Sequence, residues 1–446
     1  MDKNNGAIYD ARKLGKPKMI ILGVQHMFAM FGATILVPIL TGLDISTTLL
    51  MAGLGTLLFH CITKFKVPAF LGSSFAFLGG YAAIKAFSPN DPNSMLPYAC
   101  LGVACAGLIY FILAAVIKAV GIEKVIRFFP PVVTGPIIIA IGLGLAPSAV
   151  SNCTTNWFLA VVALAVIVVF NIWGKGMAKI IPIILGLLIS YGTGLVLYFI
   201  SQANPDLIQN VPWLFSGGAD ANGVYQPIFD FTSLNTICDN ISKGHIFGSE
   251  GLIGIPIHWD KTVFGGIDYS NGALIASSII AIVPIAFATM MEHIGDICAI
   301  SSTTGNNYIK DPGLHRTLVG DGLATTLASL FGGPANTTYG ENTGVLALTR
   351  VYDPRVIRIA AYFAVAVSFF PIVSVIIGSI PSCIIGGISF VLYGMISAIG
   401  VRNVVENKVD FTKSRNLIVA AVILVCALGL SSDTVSFTIG SAAITL

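Results

Sequence analysis

The sequence predicts an all-α membrane protein with many spans, built as two inverted repeats of seven spans. Three observations predict it: the composition, thirteen apolar windows of span length, and matching interruptions in the third span of each half. Of the 446 residues, 55% are hydrophobic and 10% are charged, whereas soluble domains carry about 25% charged residues. The mean hydropathy is +0.87. These values exclude a soluble fold. The net charge is only +3 and the charged residues are scattered along the chain, which indicates no nucleic-acid surface.

Windows of about 20 apolar residues, the length that crosses the hydrocarbon core, define the predicted spans. Seven of them precede a long polar segment at 202–270, which divides the chain, and six follow it. We expect the last span to be missing, because the few residues after Asp433 can only begin a fourteenth helix. The predicted spans are 19–41, 47–63, 67–87, 97–121, 128–148, 156–174, 178–201, 271–296, 315–332, 336–349, 355–380, 382–400 and 415–431.

The distribution of basic residues predicts the orientation of these spans. Lys and Arg collect on the cytoplasmic side of short loops. With the N-terminus inside, 21 of the 24 basic residues fall in inside segments, and Lys85, Lys243 and Lys261 fall outside. If one span in the middle were miscounted, every later loop would be assigned to the wrong side of the membrane. The consistent placement of the basic residues therefore supports the whole topology. We therefore expect a multi-pass protein of the cell membrane with a cytoplasmic N-terminus and an extracellular 202–270 segment.

The third span of each half is short, polar and interrupted by glycine, at 72–77 and at 333–342. A repeat of seven spans is inverted in its second copy, and secondary transporters of this kind bind ligands where matching spans are broken. Extended backbone at membrane depth requires partners for its polar groups. We expect short extended segments in spans 3 and 10, with two half-helix N-termini facing a ligand. The alternative is that the two segments are only helix packing contacts that contain glycine and do not form a binding site.

Three acids lie within predicted spans, where a charge costs about 2.5 to 3.5 kcal/mol on insertion scales. They are Glu292, Asp296 and Glu341. Glu292 and Asp296 are four residues apart and share one helical face. Because two close carboxylates repel each other, we expect one of them to hold a proton near neutral pH, as proton coupling requires. The alternative for Asp296 is a structural acid bonded to Ser, Thr or backbone.

Other polar residues in apolar windows have weaker signals. Gln25 and His26 interrupt the first span; Gln25 fits a ligand contact and a helix-to-helix hydrogen bond equally well, and a structural role is favoured for His26. Asp321, near the start of span 9, is expected to be solvated or paired with Arg316.

Residues 341–350, with the sequence ENTGVLALTR, resemble the signature of the nucleobase-ascorbate transporter (nucleobase-cation symporter) family. That signature has an acid or amide, Asn-x-Gly, four residues, Thr and a basic residue. The Gln25-His26 pair and the 292–296 stretch fit the same family. Further similar segments are 25–38, 72–77 and 312–316, so the resemblance covers most of the chain.

The resemblance implies proton-coupled import of uracil by alternating access between a core and a gate domain. The implied partners are uracil, the proton and membrane lipid; a homodimer is left open, and no cofactor, metal or nucleic acid is implied. The implied divisions are a cytoplasmic leader 1–18, core 19–121, gate 122–201, extracellular loop 202–270, core 271–380 and gate 381–446.

The resemblance also assigns roles to individual residues. Glu292 would accept hydrogen bonds from ring N–H groups, and Glu341 would bond the base or hold the geometry of the site. Asp296 would be the proton-linked position, together with Glu292. The remaining implied positions are the backbone donors Phe75 and Gly340, the walls Ala33 and Tyr339, and the supporting residues Gln25, Ser74 and Asn342.

Two alternatives remain open at this point. One is a purine or xanthine permease of the same family, although an acid at Glu341 favours uracil over xanthine. The other is an anion channel or exchanger of similar architecture, against which Glu292 and Glu341 argue. A membrane enzyme is not expected, since no nucleophile-base pair, metal-ligand cluster or phosphate-binding loop is present in the sequence.

Overall fold

Long apolar helices make up most of the computed structural model, which describes residues 7–121, 124, 130–429, 436–439 and 442–445. The side chain of Glu341 and those of residues 436–445 lie outside this description. So do residues 1–6 of the predicted leader, most of the predicted core-to-gate boundary at 122–129, and the predicted start of a fourteenth span, apart from two strand backbones.

The first half of the chain alternates long helices with one extended segment. Two of its helices begin at side-chain caps: the Asp44 carboxylate accepts a hydrogen bond from the Thr47 amide at 2.8 Å, and Asn156 accepts one from the Leu159 amide at 3.1 Å. The elements are α1 (Lys16–Thr41), α2 (Ile45–Ile62), β1 (Leu71–Ser73), α3 (Leu78–Lys85), α4 (Leu96–Val120), α5 (Pro131–Cys153), α6 (Trp157–Trp173) and α7 (Pro182–Ala203).

The polar 202–270 segment contains short elements, and the second half then repeats the order of the first. The short elements are α8 (Asp206–Asn210), α9 (Pro212–Phe215), β2 (Ser216–Ala219), β3 (Tyr225–Pro227), α10 (Thr232–Ser242) and α11 (Val263–Gly266). The second half comprises α12 (Gly272–Ile282), α13 (Ile285–Thr304), α14 (Leu314–Leu330), β4 (Asn336–Thr338), α15 (Gly340–Thr349), α16 (Pro354–Ser368), α17 (Pro371–Gly378), α18 (Ser382–Glu406), α19 (Ser414–Gly429), β5 (Ser436–Ile439) and β6 (Ala442–Thr445).

Seven helical stretches in the described part of the chain are long and apolar enough to cross a membrane, judged by length and composition. A further candidate is the pair α16 and α17, which is bent by 87°. The apolar helices α6 and α19 are slightly shorter. The predicted ends of three spans were wrong by more than four residues: the helices continue to Cys153, Thr304 and Glu406. Hydropathy windows end with the apolar sequence, whereas a helix continues into polar sequence.

Strands β1 and β4 form a two-stranded antiparallel ribbon that joins the two halves of the chain. Its register pairs Leu71 with Thr338, Gly72 with Thr337 and Ser73 with Asn336. Backbone hydrogen bonds lengthen it at both ends, from the Ser74 amide to the Ala335 carbonyl at 2.8 Å and from the Tyr339 amide to the Phe70 carbonyl at 3.0 Å. The extended segments thus satisfy each other's backbone polar groups.

The chain divides into two compact units. The first comprises Met1–Thr134, Ile255–Phe370 and Gly429–Leu446, and the second comprises Gly135–Gly254 and Pro371–Leu428. These divisions differ from the predicted ones at 121, 201 and 380. The shift from 380 to 370 has a local cause, because the helical path bends sharply before Pro371, where an uninterrupted span was predicted. The 202–270 segment is divided between the units at residue 254.

Close packing of small residues holds α4 against α14 in the first unit. A Cβ atom added to Gly107 would lie 2.7 Å from the Gly322 carbonyl oxygen and would also collide with the Thr326 hydroxyl. The Thr326 hydroxyl donates to the Ala104 carbonyl at 3.1 Å. Such close backbone approach is typical of helix pairs in membranes, where small residues replace the hydrophobic driving force.

We predict that Gly107→Ala lowers the free energy of unfolding by about 1 to 3 kcal/mol, because the added methyl group overpacks this contact. Gly144→Ala is the matched control, since a Cβ atom at Gly144 in α5 meets no atom within 4 Å. The control should be neutral or stabilising by up to about 1 kcal/mol. Thermal unfolding in detergent measures both, and equal effects would contradict the packing account.

Candidate substrate-binding site

The residues singled out in the two interrupted spans lie around the β1–β4 ribbon in the first unit. Helix α1 contacts β1 and α15, and α13 contacts β4 and α15. Because β4 leads into α15 after only one residue, Tyr339, the start of that helix lies beside both α1 and α13. The ribbon therefore places the predicted residues of spans 1, 8 and 10 in one region.

An apolar wall is built around Tyr339. Ala33 and Tyr339 are buried in one cluster with Met30 and Phe70, and the partly buried Phe75 packs against that cluster. The predicted wall residues Ala33 and Tyr339 are thus brought together, with Phe75 next to them.

Hydrogen bonds fix the Tyr339 ring. Its hydroxyl donates to the Ser73 carbonyl oxygen at 2.8 Å and accepts from the Thr34 hydroxyl at 3.3 Å. The ring lies directly over Gly72, where an added Cβ atom would approach it to 2.5 Å. A side chain at position 72 would therefore collide with the aromatic ring, so this position requires glycine.

Several buried polar atoms on the elements around this wall have no hydrogen-bond partner among the described residues. They include the Gln25 side-chain oxygen, the Ser74 hydroxyl and both amide atoms of Asn342; the Thr337 and Thr343 hydroxyls are further examples. Most buried polar groups in proteins are bonded, and each one left unsatisfied costs about 1 to 3 kcal/mol. These atoms belong to α1, the β1–α3 connection, β4 and α15, which suits a polar ligand that supplies the missing partners.

The predicted acids on α13 differ in environment. Glu292 is exposed and Asp296, one turn later, is half-buried. The Asp296 Oδ2 atom accepts a hydrogen bond from the Thr338 hydroxyl at 2.8 Å. Its Oδ1 atom lies 3.9 Å from where a Cβ atom of Gly340 would be. Asp296 is therefore joined to the end of β4, at the start of α15.

The start of α15 itself is only partly described. Gly340 is its first residue and is exposed. The backbone of Glu341 follows in the first helical turn, whereas the predicted role of its side chain concerns atoms outside the described part of the structure.

The expectation for Asp321 was wrong. Its side chain is fully buried, and its Oδ2 atom lies 3.4 Å from the His293 Nδ1 atom. Arg316 instead donates to the Ile62 carbonyl oxygen at 3.5 Å. A sequence signal was available, because Thr317, Asp321 and Thr325 recur every four residues and all are buried. A polar stripe on a membrane helix faces the protein interior.

His293 and Thr338 were also missed by the sequence reasoning. His293 is fully buried, and its Nδ1 atom lies 3.4 Å from the Thr338 hydroxyl. In the sequence, a threonine and a histidine near charged residues do not by themselves indicate a functional site. Only the structure shows that they connect Asp296 with Asp321.

Comparison with known families decides what kind of protein this is. The family model described as Permease family (Xan_ur_permease) matches residues 17–435. The chain belongs to the Permease family. This permease is accordingly a membrane transporter and not an enzyme, which confirms the sequence-based expectation.

Relatives over nearly the whole chain carry more specific names. The permease is 39% identical over 421 residues to the uracil permease of Bacillus caldolyticus and 38% identical over 423 residues to that of Bacillus subtilis (strain 168). Each alignment covers 92% of this chain and 85% of the relative. The uracil permease of Escherichia coli (strain K12) is 32% identical over 417 residues, with 91% of this chain and 83% of the relative covered. The predicted family resemblance is confirmed.

Two solved structures are similar in fold. The transmembrane domain of a cyanobacterium bicarbonate transporter, BicA, matches with a TM-score of 0.65 and 13% identity, over 95% of this chain and 98% of that one. The overall structure of SLC26A9 matches with a TM-score of 0.57 and 11% identity, over 94% and 63% of the two chains. The permease is thus an all-helical, multi-span membrane protein of the seven-plus-seven inverted-repeat fold.

Proposed function

We propose that this permease imports uracil across the cell membrane by secondary active transport coupled to protons. The observation that carries the proposal is the alignment of 92% of the chain with uracil permeases at 39 and 38% identity. The site supports it, because an aromatic wall beside unsatisfied buried donors and acceptors suits a small, flat, polar ring. Uracil offers two ring N–H donors and two carbonyl acceptors.

In this proposal, Glu292 accepts hydrogen bonds from the ring N–H groups of uracil. The backbone amides of Phe75 and Gly340 donate to its carbonyl oxygens, and Glu341 bonds the base or holds the site's geometry. Ala33 and Tyr339 form the walls; Gln25, Ser74 and Asn342 complete the supporting polar set. The exposure of Glu292 and the clustering of Phe75 with Tyr339 support these roles.

Spans 3 and 10 are proposed as broken spans, each an extended strand followed by a short helix. Half-helix N-termini present free N–H groups and the positive end of the helix dipole to ligand oxygens. Support comes from β1 and β4, which pair with each other and are followed by α3 and α15, helices of 8 and 10 residues.

The first compact unit is proposed as the core domain, which binds the ligand, and the second as the gate domain. Alternating access would then move one domain past the other. The proposal is supported by the division of the chain into two units with all the site residues in the first. The distribution of the basic residues supports a cytoplasmic N-terminus. Membrane lipid and a second copy of the chain are the further proposed partners.

Coupling to one proton is sufficient to accumulate a scarce base. A proton moving through 100 mV releases about 2.3 kcal/mol, which corresponds to roughly 1.7 decades of concentration at about 1.36 kcal/mol per decade. Asp296 is the proposed proton-linked group, with Glu292 beside it. Its position between the Thr338 hydroxyl and the start of α15 supports the role, since protonation there changes the charge facing a helix N-terminus.

We predict that Glu292→Gln weakens uracil binding by at least about 10- to 100-fold, because hydrogen bonds to a charged acceptor contribute about 1.5 to 3 kcal/mol. Calorimetric titration of the purified protein with uracil measures the affinity. The matched control is Glu406→Gln, at an exposed acid paired with Arg402 in the second unit. An unchanged affinity in Glu292→Gln would show that this carboxylate does not bind the base.

We predict that Asp296→Asn retains uracil binding but loses the response of uptake to a pH gradient. The asparagine oxygen can still accept from Thr338, whereas the amide cannot take up a proton. Uptake of labelled uracil into proteoliposomes, with and without an imposed pH gradient, separates the two effects. Asp410→Asn, at an exposed loop acid, is the control. Continued gradient-driven accumulation in Asp296→Asn would place the coupling group elsewhere.

A further inference from the structure

A cavity of about 250 Å³ opens in the first unit where the end of α4 meets the start of α14. The 309–313 connection between α13 and α14 forms its third side. A water molecule takes about 30 Å³ in the liquid, so the cavity has room for a group of phosphate size. Its lining divides into a buried apolar floor and a polar rim. The floor residues are Ile117, Gly313 and Leu314, and the rim residues are Lys118, Lys310 and His315.

The charges on this rim are positive. Lys118 and Lys310 are exposed, and no ion pair joins either of them to another residue in the described part of the chain. The acid of the connection, Asp311, is already engaged: Lys66 donates to its carboxylate at 2.7 Å and holds the pKa of Asp311 below its usual range. No Asp or Glu among the described residues lines the cavity itself. The two lysines are therefore available to an anion.

Further basic residues surround the cavity. Lys64, in the turn after α2, and Arg316, in the first turn of α14, both act on Asp311 together with Lys66. All of these cations belong to the segments that the charge distribution places inside the cell. The cytoplasmic leaflet carries anionic phospholipids, and basic pockets between membrane helices on that side suit their headgroups. The position of the cavity thus favours a phosphate that belongs to a lipid.

An exposed apolar face of α4 leads to the cavity. Leu108, Ile112 and Val116 recur every four residues, and their side chains are 50, 60 and 42% exposed. Residues at this spacing lie on one face of a helix. On a helix long and apolar enough to cross the membrane, such a face contacts acyl chains. Because this face ends in the same helical turn as Lys118, one molecule with a charged head and apolar tails can contact both.

We propose that this cavity binds one anionic phospholipid, with the headgroup phosphate between Lys118 and Lys310 and the acyl chains along the exposed face of α4. Free phosphate offers the lysines the same charge but makes no use of the apolar floor or of α4, so the lipid is the assigned occupant. The inference extends the proposed lipid partner to a single bound molecule. It does not depend on which base the permease transports.

The test is native mass spectrometry of the purified permease in detergent, titrated with phosphatidylglycerol. A lysine near an anionic lipid contributes about fivefold to affinity. We therefore expect the double variant Lys118→Ala/Lys310→Ala to bind phosphatidylglycerol about 25-fold more weakly than the unaltered protein. Lys118→Arg/Lys310→Arg keeps both charges and should bind within about twofold of it.

Two further variants control for folding and for general charge attraction. Lys310→Glu changes one exposed side chain of a connection and reverses its charge, so it tests the site even where the double variant does not fold. Lys175→Ala/Lys179→Ala is the matched control, because it removes two exposed lysines that are also expected inside but belong to the second unit. Phosphatidylcholine and an excess of inorganic phosphate are the comparison ligands.

Saturable binding of phosphatidylglycerol that weakens in Lys118→Ala/Lys310→Ala and in Lys310→Glu, but not in the matched control, supports the site. Equal weakening in the control, or none in the cavity variants, would overturn it. Equal affinity for phosphatidylcholine would show that the charge is not recognised, and displacement by inorganic phosphate would show a site for the free ion; either result overturns the lipid assignment. Uracil takes no part in these titrations, so their failure leaves the proposed transport function in place.

Discussion

Backbone hydrogen bonding between two extended segments is the constraint on which the rest of this structure depends. In a hydrocarbon environment each unpaired N–H or carbonyl group costs several kcal/mol, so an isolated extended segment does not persist there. Strands β1 and β4 come from opposite halves of the chain and satisfy each other in one antiparallel register. The two interruptions can therefore exist only together, and their pairing fixes how the halves of the first unit meet.

The same ribbon holds both parts of the proposed transport site. Tyr339 follows β4 directly and is bonded to the Ser73 carbonyl oxygen of β1. Thr338, the last residue of β4, is bonded to Asp296 on α13. The aromatic wall and the acid proposed for coupling are thus connected through two consecutive residues. A change of protonation at Asp296 acts on the residue next to the ring, which gives substrate and proton a short physical connection.

The helices could be predicted from the sequence because membrane spans need long apolar windows, and the interruptions could be predicted because Gly and polar residues break those windows. The bend between α16 and α17 was missed although Pro371 marks it, since a hydropathy window averages over a single proline. Glu292 and Asp296 were recognisable as charges in apolar surroundings. The burial of Asp321 was missed because its predicted place near a span end suggested solvent, although the polar stripe of Thr317, Asp321 and Thr325 on α14 indicated a helix face that packs inside the protein.

The most direct test of the account is thermal stabilisation of the purified permease by single ligands, because a ligand that binds only the folded state raises its stability, by about 2.7 kcal/mol at one hundred times its Kd. Uracil, thymine, xanthine, adenine and ascorbate form the panel. The account predicts a stabilisation by uracil that xanthine, adenine and ascorbate do not produce. Stabilisation by xanthine without any by uracil, or no stabilisation by any of the five, would contradict it.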